Sequence, residues 1–384
     1  MQGDSTSKMK FGNKNKILII GPTPPPYHGV SVATEMILNS NLQRKFKIIH
    51  LDTADRRDLS NIGKIDFTNI YLAFEHFLKF IWLCIREKPE IVYIPISQTT
   101  LGYLRDCFFL ILAKMFHKKI IVHLHGGYFR KFYEGSSKLM KNLIEWTLKE
   151  VKRAIVLGES LRYIFQGLVP DERIVVVPNG VDEKLFEKTN LTIDTRSKNH
   201  IKVLFLGNLI KSKGFFDVIK AIPIVIRRYS NVEFIFAGEF PNNYREQDKL
   251  FRYIEQNKLD SVVKFMGVVT GKKKIKLLLS SDVFVFPSYN EGHPFVILEA
   301  MAAGLPVITT GVGAVKETVI DEENGFIIEK NNPKQIAEKI IMLIQNKELK
   351  KEMGGKSKVR FLKYYTKDKF IEGLSKIFQE VLLG

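Results

Sequence analysis

The segment with the most chemistry in the sequence is Glu291-Gly292-His293-Pro294-Phe295-Val296-Ile297-Leu298-Glu299, followed by the small-residue run Ala300-Met301-Ala302-Ala303-Gly304. Proline suits the first turn of a helix, so the spacing predicts a helix starting near Pro294, with Glu299 on its second turn and Glu291 ahead of its start. The amides of Gly292, His293 and Phe295 would then lack intrahelical partners and face a cleft. Such a helix start binds anions and hydroxyl oxygens. Carboxylates beside it hold sugar or ribose hydroxyls through charge-assisted hydrogen bonds. Gly304 and Pro306 stop the helix and launch a strand. Three further segments lie where a strand hands over to a helix. Gly207 to Gly214 contains Lys211 and Lys213. His125 follows the run Ile120–His123 and precedes Gly126-Gly127, with His123 the residue expected to pack in the core. Gly21 to Ser31 carries a proline cluster that stiffens the loop, and Gly29 permits close backbone approach to a phosphate or an acceptor.

The elements that must position these residues are short, apolar and β-branched. Lys16–Gly21, Phe46–His50, Ile91–Ile94, Ile120–His123, Ala154–Leu157 and Ile174–Val177 are of strand length with little alternation, as parallel strands buried on both faces require. Helical stretches between them give a βαβ rhythm. A polar linker is predicted from Glu187 to His200, after which the rhythm restarts in Val203–Leu206, Val232–Phe236, Val262–Phe265, Val283–Phe286, Val307–Ile308 and Phe326–Ile328. A closing helix is predicted from about Asp368 to Leu383. The expectation is an α/β protein of two Rossmann-like, doubly wound parallel-sheet domains facing across a cleft. Residues 1–190 form the first domain and 191–366 the second, and residues 367–384 return to the first.

The Glu291–Glu299 segment closely resembles the E-x7-E signature of the retaining glycosyltransferases of family four, which have the GT-B fold. The resemblance extends to Gly207–Gly214, to Pro178-Asn179-Gly180-Val181-Asp182, to His123-Leu124-His125-Gly126-Gly127 and to His28-Gly29-Val30-Ser31, in family order. It implies transfer of a sugar from a UDP- or GDP-linked donor to a hydroxyl of a glycan or lipid-linked acceptor, with retention, in bacterial surface polysaccharide synthesis. The implied catalytic residues are His125 at the reacting face of the sugar, Glu291 on its hydroxyls and Lys213 on the diphosphate. Donor contacts are implied for Gly29, Gly207, Asn208, Lys213, Gly292, His293, Pro294, Phe295 and Glu299, with Glu299 on the ribose. The family's first basic position in the phosphate loop is often Arg and is Asn208 here, which replaces a bidentate cation by a neutral donor; Lys211 is placed to compensate. No nucleophile stands ready for a double displacement, so front-face attack is expected. There is no Asp-x-Asp and no ligand-spaced cluster, so metal independence and no cofactor beyond the nucleotide-sugar co-substrate are expected. A GT-B sugar-nucleotide epimerase and a non-catalytic sugar-nucleotide-binding subunit are the alternatives.

The 384 residues carry 59 Lys+Arg against 41 Asp+Glu, a formal net charge of +18, which calls for an anionic partner. No recognition module for nucleic acid is visible, so none is expected as partner. Residues 111–153 hold ten basic residues against Glu134, Glu145 and Glu150, interleaved with aromatics. Together with the apolar helical stretch Tyr71–Arg86, that composition suits an anionic membrane surface. The polar segment Met1–Lys16 is not a signal peptide, and no stretch is apolar enough to span a bilayer. A cytoplasmic protein, peripheral on the inner face of the plasma membrane, is expected. Cys84 and Cys107 are too few for a disulfide framework and read as buried thiols.

Overall fold

A computed structural model describes residues 14–56, 67–187, 200–241 and 247–384, with side chains given from residue 71 in the second of these stretches. The expected linker at 188–199, with the 190/191 boundary, and the N-terminal stretch to residue 13 lie outside them. The first domain runs β1 (Lys16–Gly21), α1 (Gly29–Leu38), α2 (Leu42–Lys45), β2 (Lys47–Asp52), α3 (Phe67–Arg86), β3 (Ile91–Pro95) and α4 (Thr100–Met115). It continues through β4 (Lys119–His123), α5 (Phe129–Gly135), α6 (Lys138–Leu148), β5 (Arg153–Val156), β6 (Ile174–Val176) and α7 (Lys184–Glu187). The second domain runs β7 (Ile201–Leu206), α8 (Phe215–Ile226), β8 (Val232–Ala237), α9 (Gln247–Gln256), β9 (Val263–Gly267), α10 (Gly271–Leu279), β10 (Val283–Phe286) and α11 (Phe295–Ala302). It ends β11 (Val307–Thr310), α12 (Val315–Thr318), β12 (Gly325–Ile328), α13 (Pro333–Gln345) and α14 (Lys347–Tyr364), and α15 (Lys367–Leu383) closes the chain.

Each domain has one six-stranded parallel sheet, ordered β2-β1-β3-β4-β5-β6 in the first and β12-β11-β10-β7-β8-β9 in the second. The fold is therefore the expected pair of doubly wound sheets. Ile17, Leu18 and Ile19 in β1 and all four residues of β10 are at most 2% exposed, which is why these strands read as unbroken apolar runs. The predicted second strand begins one residue late and extends to Asp52, because Phe46 ends α2 and buries its ring instead. α11 starts at Phe295 with Pro294 as its extended N-cap, one position earlier than expected for the proline.

In an open α/β sheet, ligands bind beyond the C-terminal strand ends where the winding direction reverses. The reversals fall between β1 and β3 in the first sheet and between β7 and β10 in the second. The loops after those four strands carry Gly29, Gln98, Gly207 and Glu291. His28 caps α1: its amide donates to Ser31 Oγ at 3.0 Å, and its ring nitrogen accepts from the Ser31 amide at 3.4 Å, which fixes the loop that carries Gly29. The chain crosses between domains at Val181 and again at Thr366, and the two crossings pair: Val181 N donates to Tyr365 O, and Lys367 N donates to Val181 O. α15 then packs Phe370, Leu374 and Phe378 against β1, β3, β4 and β5 of the first sheet.

Candidate active site

The second sheet's reversal point holds the phosphate-loop candidate. Gly207 and Gly214 have positive φ values of 153° and 72°, conformations that glycine adopts without strain. A side chain at Gly214 would strike the Pro287 carbonyl, so the loop after β7 lies directly on the loop after β10. That contact delivers Lys213 Nζ to Glu291 Oε1 at 2.6 Å, and Ser288 Oγ donates to the same oxygen at 2.7 Å. The pair is only partly open, the side chains being 26% and 11% exposed. Lys213 retains donors beyond the one that Glu291 takes, because an ammonium has three. Asn208 is exposed at the loop surface, and Lys211 is exposed in the turn before Lys213.

Glu299 sits on the second turn of α11, 8% exposed. Its Oε1 accepts from Lys274 Nζ at 2.5 Å, while Oε2 is buried without a partner. Lys274 and Ser288 have no place in the sequence reading. Lys274 belongs to a run of three lysines opening α10, and nothing in that run distinguishes it from Lys272 and Lys273. The amides of Gly292, His293 and Phe295 donate to no other described residue.

The first domain meets this site through glycines. A side chain on Gly127 would strike the Glu291 carbonyl, and one on Gly292 would lie 3.0 Å from the His125 carbonyl. Gly29 faces the Phe295 ring, 3.9 Å from where a Cβ would stand. The His125 ring lies against that of His123, with centroids 4.0 Å apart and planes tilted by 32°. Both ring nitrogens of His125 are buried without a hydrogen bond. Burial first, opposed by the neighbouring Asn179 and assisted by the charge of His28, lowers its pKa to about 4, so the imidazole is neutral at pH 7. His123 is fully buried and bonded to Tyr93 Oη at 2.6 Å, which gives it the expected packing role.

His293 differs from its neighbours. Asn179 N donates to its Nδ1 at 3.0 Å, and Asn179 Nδ2 donates to its carbonyl at 2.8 Å. Its Nε2 lies 2.9 Å from Thr318 Oγ1, whose own hydrogen goes to the Ala314 carbonyl, so Nε2 carries the proton. Burial lowers the pKa of this ring to about 3. The ring therefore joins the two domains, and a donor can reach His293 only at its backbone. Asn179 and Thr318, neither singled out as a contact in the sequence, complete this junction. Pro294, with no amide to give, stands in extended backbone just before α11.

The family described as "Glycosyl transferases group 1" matches residues 187–360, and that described as "Glycosyltransferase Family 4" matches residues 41–185. The chain is 30% identical over 240 residues to the capsular polysaccharide biosynthesis glycosyltransferase CapM of Staphylococcus aureus, a match covering 59% of this chain and 61% of CapM. It is 25% identical over 269 residues to the N-acetyl-alpha-D-glucosaminyl L-malate synthase of Bacillus anthracis, covering 69% of this chain and 68% of that one. In fold it matches HepE of Anabaena, solved in complex with UDP, with a TM-score of 0.74 and 17% identity over 95% of this chain and 100% of HepE. With two facing doubly wound sheets of the GT-B type and these two matches end to end, the chain belongs to the group 1 glycosyltransferases of family four and is a glycosyltransferase.

Proposed function

We propose that this enzyme transfers a sugar, with retention, from a UDP- or GDP-linked donor to a hydroxyl of a glycan or lipid-linked acceptor in bacterial surface polysaccharide synthesis. The observation that carries the reading is the meeting of Lys213, Glu291 and the His125–Gly127 segment at one point of the cleft. HepE was solved with UDP, and CapM is named for capsular polysaccharide synthesis; both agree with this choice of donor and process. Negative charge grows on the departing diphosphate in such a transfer, and Lys213 with the amides of its loop would stabilise it without a metal. The free Oε2 of Glu299 would accept a ribose hydroxyl while Lys274 holds the other oxygen. Glu291 and the unengaged amides after it would hold the donor sugar. A neutral His125 would accept or donate one hydrogen bond at the reacting face, and attack would come from the side the leaving group departs. Among the described residues no helix is long and apolar enough to cross a membrane. The basic, aromatic-bearing surface of residues 111–153 would hold the enzyme on the cytoplasmic face of an anionic membrane.

A thermal-shift panel of UDP-, GDP- and ADP-sugars tests the donor, since a ligand that binds the folded state raises its melting temperature by mass action. One nucleotide series should stabilise the protein well above the others. If none does, the donor assignment is wrong. Proton NMR of the first-formed product reads the anomeric configuration, and inversion would overturn retention.

A further inference from the structure

A cavity of about 580 Å³ lies at the reversal point of the first sheet. His28, His125 and Gly126 belong to its lining. Its lining is mostly apolar, with Leu72, Ala73 and Phe77 of α3, Leu104 and Phe109 of α4, and Ile96 after β3, and includes the polar side chains of Thr53, Asp55, His76, Gln98 and Thr99. The Arg105–Asp106 pair in its lining is already satisfied. Arg105 Nε and Nη2 donate to Asp106 Oδ1 at 3.0 and 2.8 Å, and the Ser97 amide donates to Asp106 Oδ2 at 2.6 Å. A free sugar, covered with hydroxyls, would leave most of this lining unmatched, whereas an alkyl or isoprenoid chain suits its apolar majority.

The outer face of α3 carries the second observation. Tyr71, Phe74, Leu78, Trp82 and Ile85, spaced as one helical stripe, are 52–65% exposed, and Phe108 of α4 is 54% exposed. Soluble monomers seldom leave so continuous an apolar stripe in water. Cations stand over its aromatics and their neighbours: the Arg86 guanidinium lies 4.9 Å from the Trp82 ring centre, and Lys114 Nζ lies 4.9 Å from that of Trp146. Apolar side chains flanked by cation-capped indoles suit the boundary of an anionic bilayer. The same two helices therefore present hydrocarbon outward and line a largely apolar cavity that His125 also lines.

We propose that the cavity between α3 and α4 holds the hydrocarbon chain of a lipid-linked acceptor, drawn from an anionic membrane on which the α3 stripe lies, so that the sugar end of the acceptor meets His125. This rests on the glycosyl-transfer reading and names its acceptor class. The volume falls within the ~300–1,000 Å³ of pockets that bury drug-sized ligands, so it accommodates the first part of a long chain and leaves the rest in the bilayer.

Farnesyl phosphate is the test probe, with farnesol and inorganic phosphate as separate arms, titrated against the full-length chain. Wild type should bind farnesyl phosphate and farnesol, with inorganic phosphate failing to compete. Ala73→Trp, which fills the cavity, and Leu104→Gln, which makes its wall polar, should each weaken binding at least tenfold. The double variant Phe74→Glu/Trp82→Glu should bind farnesyl phosphate as wild type does yet lose co-sedimentation with phosphatidylglycerol vesicles. Stabilisation by UDP or GDP, measured on every variant, reports the donor half separately and shows that each variant is folded. Absence of farnesyl binding by a wild type that the nucleotide stabilises, or equal binding by wild type and both cavity variants, overturns the proposal and leaves sugar transfer standing. Failure of every nucleotide to stabilise wild type overturns the donor reading instead.

Discussion

At the scale of single residues, the cleft contains two Lys–Glu pairs that look alike and are expected to act differently. Lys213 meets Glu291 where the diphosphate would leave, and Lys274 meets Glu299 where the ribose would sit. Charge that develops on the leaving diphosphate is felt in the transition state more than in the ground state, so Lys213→Ala should lower kcat by ~10²–10³, the usual penalty for losing one donor to a developing anion. Lys274 touches the carboxylate proposed to hold the ribose, a contact that would be the same in both states. Lys274→Ala should therefore raise KM for the donor about tenfold and leave kcat near wild type, as loss of uniform binding does. Steady-state kinetics with the stabilising donor separates the two, and a kcat effect in Lys274→Ala as large as that in Lys213→Ala would overturn the distinction. Lys213 was legible because a Gly-flanked loop framed it. Lys274 was not, because it reaches Glu299 from another helix 25 residues earlier in the chain, a meeting that no local spacing encodes.

At the scale of elements, the strand ends and the loops that leave them carry the site, and these were the parts best read from sequence. Runs such as Lys16–Gly21 and Val283–Phe286 are apolar throughout because both faces of each sheet are covered, and their bounds agree with the structure. The junction of His293 with Asn179 and Thr318 was not legible, because 114 residues separate the two ends of its Asn179 bond. Its importance is mechanical: it fastens the loop after β6 to the start of α11, the element bearing Glu299. Asn179→Ala would leave the His293 carbonyl without the Nδ2 bond in a buried setting, at a cost of ~1–3 kcal/mol. Asn179→Asp would keep the shape but replace that donor by an acceptor facing a carbonyl, and should cost at least as much. Urea denaturation midpoints of the two variants measure this, and an unchanged midpoint in both would show that the junction contributes nothing to stability.

At the scale of the whole molecule, two sheets bring their winding reversals face to face, and three imidazoles are buried around the seam. His125 and His293 have pKa values lowered to about 4 and about 3, and that of fully buried His123 is held well below the usual imidazole range, in each case chiefly by burial. In the unfolded chain all three titrate near 6.5. Between those values the unfolded state binds protons that the folded state refuses, so stability rises with pH across the interval. The stability these groups provide is full above about pH 6.5 and is lost progressively as pH falls toward 4. A tenfold weakening of proton affinity is worth ~1.4 kcal/mol, so the combined loss is on the order of several kcal/mol, enough to separate or unfold the domains in mild acid. Melting temperatures recorded from pH 7.5 to 4.5 should fall steeply below 6.5. His293→Gln, which keeps a polar side chain and removes one titrating group, should flatten that fall even though it lowers the melting temperature at pH 7.5. A wild-type profile that is level across this interval, or a variant profile as steep as wild type, would mean that the seam does not exclude protons and that the two domains part more easily than their packing implies.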